Sequence, residues 1–536
     1  MEGHEMMPLV VYHLSARQFP GALAALAALA LVSGCAVGPD FQRPDAPAVN
    51  DYTRQPLVAK TASADIAGGE EQRFVQNRDI SQQWWTLFQS PQLNALIEKA
   101  LKANPTIVAA QAALRQANEF VYAQQGFFYP TIAAGYTVER QQLAGNLGGN
   151  SPGIQGNGTV ISTFMNPGGP APFNGPVTFN FHTAQLTVGY VPDVFGGNRR
   201  EVESLSALAE SQRFLLEATY LTLTSNLVAA AVQEASLRAQ VAATTHIIAI
   251  STKSLELLRR QFELGYVARL DVAAQEAALA QVQQTLPPLR KQLEQTRDLL
   301  TALAGRFPSD EPEETFELSA LHLPQDLPVS LPSKLVEQRP DVRAAEAQLH
   351  AASAQVGVAV ANRLPQFTIT GALGGTAAVF TEMFSPGGPF WNSIGNVTQP
   401  IFAGGTLLHR QRAAEEALKQ AGAQYQGTVI AAFQNVADTL YALQSDAESL
   451  NAAVAAERAT KVTLDLVLKQ QQLGLVNYLA LLSAQQAYKQ AVITRVQAQT
   501  TRFADTAALF QALGGGWWNR PDDTAAPTAT PVSERR

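Results

Sequence analysis

Residues 198–263, NRREVESLSALAESQRFLLEATYLTLTSNLVAAAVQEASLRAQVAATTHIIAISTKSLELLRRQFE, contain no proline and carry an apolar seven-residue repeat. Val202, Ala209, Leu216, Leu223, Ala230 and Leu237 keep the heptad, and after a four-residue offset Val241, Ile248, Leu255 and Phe262 resume it. That is a coiled-coil seam with a stutter. At 1.5 Å per residue it predicts one uninterrupted helix of roughly 100 Å, longer than an ordinary globule holds. A second long stretch carries Val429, Val436, Leu443 and Leu450 beside Phe433, Leu440, Ala447 and Val454. Two adjacent apolar stripes on one helix mean that it packs on two sides.

Working outward from these helices, the chain reads as two copies of one unit. Asn104-Pro105-Thr106-Ile107 opens a helical stretch that ends at Tyr129-Pro130, and Arg339-Pro340-Asp341-Val342 opens one that ends at Leu364-Pro365, with both proline pairs 235 positions apart. Val191-Pro192-Asp193-Val194-Phe195-Gly196-Gly197 is mirrored by Gln399-Pro400-Ile401-Phe402-Ala403-Gly404-Gly405, and Leu264-Gly265-Tyr266-Val267 by Leu473-Gly474-Leu475-Val476. Ala302-Leu303-Ala304-Gly305 is mirrored by Ala512-Leu513-Gly514-Gly515. Each copy is a shorter helix (105–128 or 341–363), two short strands, a very long helix, a turn and a medium helix (269–304 or 478–512). A short helical segment near Leu93 to Leu101 precedes the first copy's helix.

The strands show period-two alternation. Ile132, Ala134, Tyr136 and Val138 share one face and Thr131, Ala133, Gly135 and Thr137 the other; Leu186, Val188 and Tyr190 alternate with Gln185, Thr187 and Gly189. Phe367, Ile369 and Leu373 alternate with Thr368, Thr370 and Ala372, and a fourth strand near Ile394 to Pro400 is less regular. One apolar face and one small polar face suit a membrane strand with lipid outside and water inside; an edge hairpin of a soluble sheet fits the same residues. Gly/Asn/Pro-rich loops at 139–183 and 374–392 join each pair. Four strands cannot close a barrel, and an open edge in lipid leaves backbone groups unpaired, so more than one chain must contribute. Two chains would supply eight strands and three would supply twelve; the residues leave that choice open.

The ends have a different character. Residues 21–32 are an apolar run of 12 residues after Arg17, followed by Ser33, Gly34 and the chain's one cysteine, Cys35. The run is too short to span a bilayer comfortably and reads as an export signal. Leu31-Val32-Ser33-Gly34-Cys35 resembles a bacterial lipobox, which implies that Cys35 becomes the lipidated first residue, and Ala36 after it implies the outer membrane. The expected organisation is a signal peptide over 1–34, a lipidated tether over 35–80, the first repeat over 81–305, an equatorial linker over 306–338, the second repeat over 339–518 and a flexible tail over 519–536.

Composition narrows the function. The 536 residues carry 38 Lys+Arg against 45 Asp+Glu, a net charge of −7, with 15% charged and 46% hydrophobic residues. No nucleic-acid partner is expected from an acidic chain. The seven histidines, among them His182, His246, His322, His350 and His409, show no ligand spacing. No nucleophile elbow, phosphate loop or cofactor fingerprint occurs, so no enzyme, cofactor or metal site is expected. Trp84, Trp85, Trp517 and Trp518 read as packing anchors.

The lipobox with Cys35-Ala36-Val37-Gly38-Pro39-Asp40-Phe41, then Trp84-Trp85, Phe88, Leu93 and Asn104-Pro105, the two Leu-Gly turns, and the closing Ala512-Leu513-Gly514-Gly515-Gly516-Trp517 resemble the outer-membrane efflux lipoproteins of the TolC/OprM type, in the NodT group. The likeness covers nearly the whole chain after the signal. It implies a mainly helical fold in which long antiparallel coiled-coil helices form an α-barrel tunnel, topped by a small membrane β-barrel with four strands per protomer. It also implies a homotrimer in outer-membrane lipid that docks to a periplasmic adaptor and an inner-membrane pump, usually of the RND class, as a passive exit duct for small toxic compounds. The exit component of a type I protein secretion system and a lipid-anchored periplasmic scaffold are the alternatives.

Within that resemblance, Leu264, Gly265, Tyr266 and Val267 and their partners Leu473, Gly474, Leu475 and Val476 are the tips that meet the adaptor. The glycines are chain-reversal devices in their own right. Related chains carry aspartates just past the second turn, where this one has Ala480 and Ser483. Closure of the periplasmic aperture is therefore expected from Leu479 and Leu482, with Asp465 and Lys469 as candidate ion-pair partners.

Overall fold

The computed structural model describes residues 36–143, 177–310 and 314–520. They form two compact units, one from the described residues within 1–42, 118–206 and 350–419, the other from those within 43–117, 207–349 and 420–536. The expected signal peptide, Cys35 and the residues beyond Arg520 lie outside the described residues.

In chain order the elements are β1 (Arg73–Gln76), α1 (Pro91–Ala103), α2 (Pro105–Gln125), β2 (Thr131–Leu143), β3 (Val177–Tyr190) and α3 (Gly197–Glu263). Then come α4 (Arg269–Gln283), α5 (Leu286–Leu303), β4 (Asp326–Val329), α6 (Pro332–Gln338) and α7 (Pro340–Ala361). The chain continues through β5 (Gln366–Ala377), β6 (Pro389–Thr398), α8 (Thr406–Gln472) and α9 (Tyr478–Ala512). The chain is mostly helical. α1, α2, α6 and α7 all begin on proline, whose fixed φ and missing N–H suit a first helical residue.

α3 and α8 are each unbroken over 67 residues. Ala209, Leu216, Leu223, Ala230 and Leu237 of the α3 seam are buried, while Val241 and Ile248 beyond the stutter are half-buried and Phe262 is exposed. On α8 both stripes are buried except for the half-buried Phe433. The medium helix expected over 269–304 is instead two helices, α4 and α5, parted at Gln284-Thr285. Pro287 and Pro288 remove the N–H groups that would have bonded the carbonyls of Gln283 and Gln284, and their rings crowd those carbonyls. α9, without proline, runs unbroken.

In the first unit, β2, β3, β5 and β6 form one antiparallel sheet in that order. The strands outrun their alternating stretches. β2 and β3 stay paired from Thr131↔Gly189 to Leu143↔Val177, past the polar run Glu139 to Gln142, because the ladder joins backbone groups regardless of side chain. The connection expected over 139–183 therefore shortens to 144–176, outside the described residues, and that expected over 374–392 shortens to 378–388. β6 stops at Thr398, since Pro400 has no N–H to pair. Register aligns Ala134, Leu186, Leu373 and Trp391 across one face, and Ile132, Leu186, Leu373, Trp391 and Val397 on that face are exposed. Where β3 passes into α3, Asp193 accepts hydrogen bonds from the backbone of Asn198 and Arg199, both at 2.9 Å, and caps the helix.

In the second unit, residues 43–80 are mostly irregular, with bends at 52–55 and a turn at 67–68, but they are docked. β1 pairs in parallel with β4, a two-stranded sheet that alternation did not reveal. Gln72 is fully buried and donates to the Pro324 carbonyl (3.0 Å) and the Thr506 hydroxyl (3.1 Å). Arg502, also fully buried, donates to the Glu70 carbonyl (2.6 Å) and the Thr61 hydroxyl (3.1 Å). Trp84 stacks on Phe510 with centroids 5.2 Å apart. Trp517 donates to the Gln338 carbonyl at 2.6 Å and Trp518 to Asp79 at 3.0 Å, so the tryptophans do anchor the packing. Burial, and then the hydrogen bond and like charge of Asp505, push the Asp446 carboxyl up to about 7 against the opposing pull of Arg502.

Two outcomes test these readings. Asp193→Ala should destabilise the detergent-solubilised protein by about 0.5–2 kcal/mol in chemical denaturation, the usual range for a lost cap. A carboxyl raised in the fold favours the folded state while protonated, and that contribution fades as pH rises through about 7. Asp446→Asn should therefore gain on the parent between about pH 4 and 7, so that it melts further above the parent at pH 8.5 than at pH 4; an equal offset at both pH values would contradict the assignment.

Candidate functional site

In the second unit, α3 with α4 and α8 with α9 make two helical hairpins. Both turns use the same device. Gly265 (φ +76°) donates to the Phe262 carbonyl and Tyr266 to that of Gln261, each at 2.9 Å. Gly474 (φ +74°) donates to Gln471 at 3.0 Å and Leu475 to Gln470 at 2.9 Å. This is the glycine-dependent closure of a helix C-terminus. A Cβ at either glycine would meet nothing within 4 Å, so the left-handed backbone, not crowding, demands glycine. The following helices are capped by Asp271, which accepts from the Ala268 N–H at 3.1 Å, and by Asn477, which accepts from the Ala480 N–H at 3.0 Å.

Below the turns the two hairpins share one apolar cluster. Leu255, Leu258, Val272 and Leu279 of the first pack with Leu464, Tyr478, Leu481 and Ala484 of the second. A polar chain crosses it: the Tyr478 hydroxyl donates to Gln275, whose amide donates to the Ser251 carbonyl at 2.8 Å. Burial holds the Tyr478 phenol protonated, above the ordinary phenol range. Gln275, Tyr478 and Ser251 were missed in the sequence, where Gln275 looks like one more surface glutamine.

Above the cluster the surface turns apolar without cover. Leu264, Tyr266, Leu473 and Leu475 are each about 70% exposed or more, and Val267 and Val476 are half-buried beside them. Leu270, which the motif reading left out, is 78% exposed and enlarges the patch. Such a concentration at a chain reversal marks a surface that meets something else.

The residues assigned to the aperture do not act alike. Leu479 is exposed, whereas Leu482 is half-buried against the shared cluster. Asp465 and Lys469 are both exposed on the helix face, and among the described residues no ion pair joins them to each other. At i, i+4 on a solvated helix face such a pair is worth only tenths of a kcal/mol, too little to hold two long side chains.

In the first unit the residues just after Cys35 are pinned. Val37 donates to the Phe195 carbonyl at 3.1 Å, Arg200 donates to the Val37 carbonyl at 3.1 Å and pairs with Asp40 at 2.6 Å. A Cβ on Gly38 would fall 2.3 Å from the Gly357 Cα, so the two backbones touch. His350 stacks on Phe41 and meets Glu203 at 2.9 Å, and His182 meets the Tyr136 hydroxyl at 2.8 Å on the sheet. Among the described residues no group of three His, Cys, Asp or Glu side chains is placed to hold a metal ion.

Known proteins share this architecture. The family model for outer membrane efflux proteins matches residues 96–306 and 331–515. The chain is 27% identical over 436 residues to the pyoverdine export outer membrane protein OpmQ of Pseudomonas putida, covering 81% of this chain and 88% of OpmQ. It is 28% identical over 495 residues to the toluene efflux pump outer membrane protein TtgF of Pseudomonas putida, covering 91% and 95%. The outer-membrane channel OprN superposes with a TM-score of 0.77 at 25% identity over 90% of this chain and all of that one. The Campylobacter jejuni CmeC outer membrane channel shares the fold with a TM-score of 0.78 at 21% identity over 91% of this chain. With matched segments spanning most of its length, the chain belongs to the outer membrane efflux protein family.

Proposed function

We propose that three copies of this chain form a passive exit duct of the NodT group, twelve strands making a barrel in the outer membrane and the long helices a tunnel across the periplasm. The observation that carries this reading is the sheet of the first unit. Its apolar face is exposed, and among the described residues its two outer strands, β2 and β6, each keep an unpaired edge. In water that face would aggregate, and in lipid those edges would leave backbone groups unsatisfied at several kcal/mol each. Neighbouring copies satisfy the edges and lipid satisfies the face. The two-repeat organisation, 81–305 and 339–518, is supported by the equal length of α3 and α8 and by the matching turns at Gly265 and Gly474.

Lipid on Cys35 would enter the membrane beside the strand-to-helix junction, because Val37 and Gly38 are fastened there. The apolar tips would receive the helical hairpins of a periplasmic adaptor, and an inner-membrane pump, of the RND class by resemblance, would supply the energy. No side chain of the duct needs to do chemistry. Aperture closure would come from apolar contacts through Leu479 rather than from Asp465 and Lys469. The names of the relatives, pyoverdine export and toluene efflux, describe cargoes with little in common, which suits a wide wet bore that does not choose its load. For the same reason small molecules are favoured over the secreted protein of a type I system.

The reading is tested at three levels. Purified protein should have the mass of three chains and give steady conductance in planar bilayers; a monomer without conductance would end the proposal. Deleting the gene should raise sensitivity to at least one dye, detergent, antibiotic or metal. Tyr266→Asp with Leu475→Asp should keep conductance but lose that tolerance about as fully as the deletion, whereas Cys35→Ser should abolish palmitate labelling.

A further inference from the structure

In the first unit the connection from β5 to β6, residues 378–388, lies at the end of the sheet away from the helices, since β5 leaves α7 and β6 returns to α8. Its own backbone ties it. The N–H of Thr376 donates to the Gly388 carbonyl at 2.9 Å, that of Glu382 to the Val379 carbonyl and that of Ser385 to the Glu382 carbonyl, both at 3.1 Å. A connection in this place can either arch over the end of the sheet or fold back along one of its faces.

Its contacts decide for one face. Across the strands Ala184 pairs with Tyr136 and Gly375, and His182 with Val138 and Ala377, so Tyr136, His182 and Gly375 share the face of Leu186, Leu373 and Trp391. The Phe380 ring stands edge-on to Tyr136, with centroids 5.6 Å apart, and to His182 at 6.4 Å. Phe380 follows β5, so it reaches across β3 to β2 to make these contacts. A Cβ on Gly375 would fall 2.2 Å from the Met383 carbonyl oxygen and 2.9 Å from the Phe384 ring. The connection therefore lies directly on that strand, and glycine leaves it the room.

What the connection shows to its surroundings is apolar. Val379, Phe380 and Phe384 are 50%, 58% and 66% exposed, whereas Met383 is buried. The strands need such an addition. On β2 the apolar side of the face runs from Ile132 to Val138 and then meets Arg140. At about 3.4 Å per residue that is ~20 Å along the strand, and strand tilt brings it further below the ~25 Å apolar band of a membrane barrel. On β5 the glycines Gly371 and Gly375 leave the same face thin. The Tyr136 hydroxyl and the His182 ring, 2.8 Å apart, hydrogen-bond to each other beside Phe380, which keeps a polar pair from interrupting the face.

We infer that residues 378–388 form a flap folded back on the membrane face of the sheet, laying Val379, Phe380 and Phe384 into the lipid leaflet farther from the helices. A lid over the bore is the other placement, and Phe380 and Phe384 are on the wrong face for it. The occupant is lipid because the exposed rings continue the apolar face of Leu186, Leu373 and Trp391, and aromatic residues are what a membrane barrel carries at the edges of its apolar band. The flap's one charge, Glu382, is exposed and fits the headgroup level. The inference rests on the duct reading above, which gives this face to lipid.

The test uses full-length protein in phosphatidylethanolamine–phosphatidylglycerol vesicles, with a nitroxide attached at Phe384→Cys, at Leu373→Cys on the same face, or at Thr187→Cys on the opposite face. The parent, labelled alongside, gives the contribution of Cys35. Collisions with oxygen, which concentrates in lipid, are compared with those of a water-soluble nickel chelate. The Phe384 label should favour oxygen as the Leu373 label does, the order should reverse at Thr187, and the Phe384 label should leave planar-bilayer conductance at the parent value. A Phe384 label that favours the chelate, is shielded from both probes, or lowers conductance as on a lid would overturn the flap, while a Leu373 label in lipid keeps the duct reading. A Leu373 label that itself favours the chelate would overturn both.

Discussion

Backbone pairing at the two outer strands is the constraint on which the rest depends. β2 and β6 each present a row of N–H and C=O groups that no strand among the described residues pairs, on a sheet whose apolar residues are exposed. A strand edge in contact with water or lipid is a demand for another strand. Long helices follow β3 and β6, and a glycine turn ends each of them.

The second unit solves a different problem, how to hold two hairpins together while leaving their ends free. Burial is concentrated below the turns, in the cluster around Leu258, Tyr478 and Leu481, and it stops before Tyr266 and Leu475. The Tyr478–Gln275–Ser251 chain adds direction to that cluster, because a buried hydroxyl and amide accept only a few relative positions. Rigid support beneath exposed apolar ends is what a docking surface requires.

The N-terminal segment is structural in both units. Val37 and Gly38 lie against the strand-to-helix junction, and Thr61, Glu70 and Gln72 enclose the Arg502 guanidinium. A segment with the composition of a tether thus closes a polar core, in which Asp446 and Asp505 crowd one another near a buried cation. Such a core is sensitive to removal of any one member, since each leaves a partner buried and unmet.

How much of this was legible follows from the range of the interactions. Heptads, period-two alternation, paired prolines and Leu-Gly turns are local signals, set by the 3.6- and 2-residue periods of helix and strand and by the backbone that glycine alone adopts freely. From them came both 67-residue helices, the four-stranded sheet and the tip residues Leu264 to Val267 and Leu473 to Val476. Pro287 and Pro288 break the first copy's medium helix, a local signal that the repeat alone does not carry because the second copy runs unbroken. The tertiary structure alone decided the β1–β4 pairing, the seat of Gln72 against Thr506 and the link from Tyr478 to Gln275. Those join or separate residues through side-chain geometry that no local period records, so only the folded chain contains them.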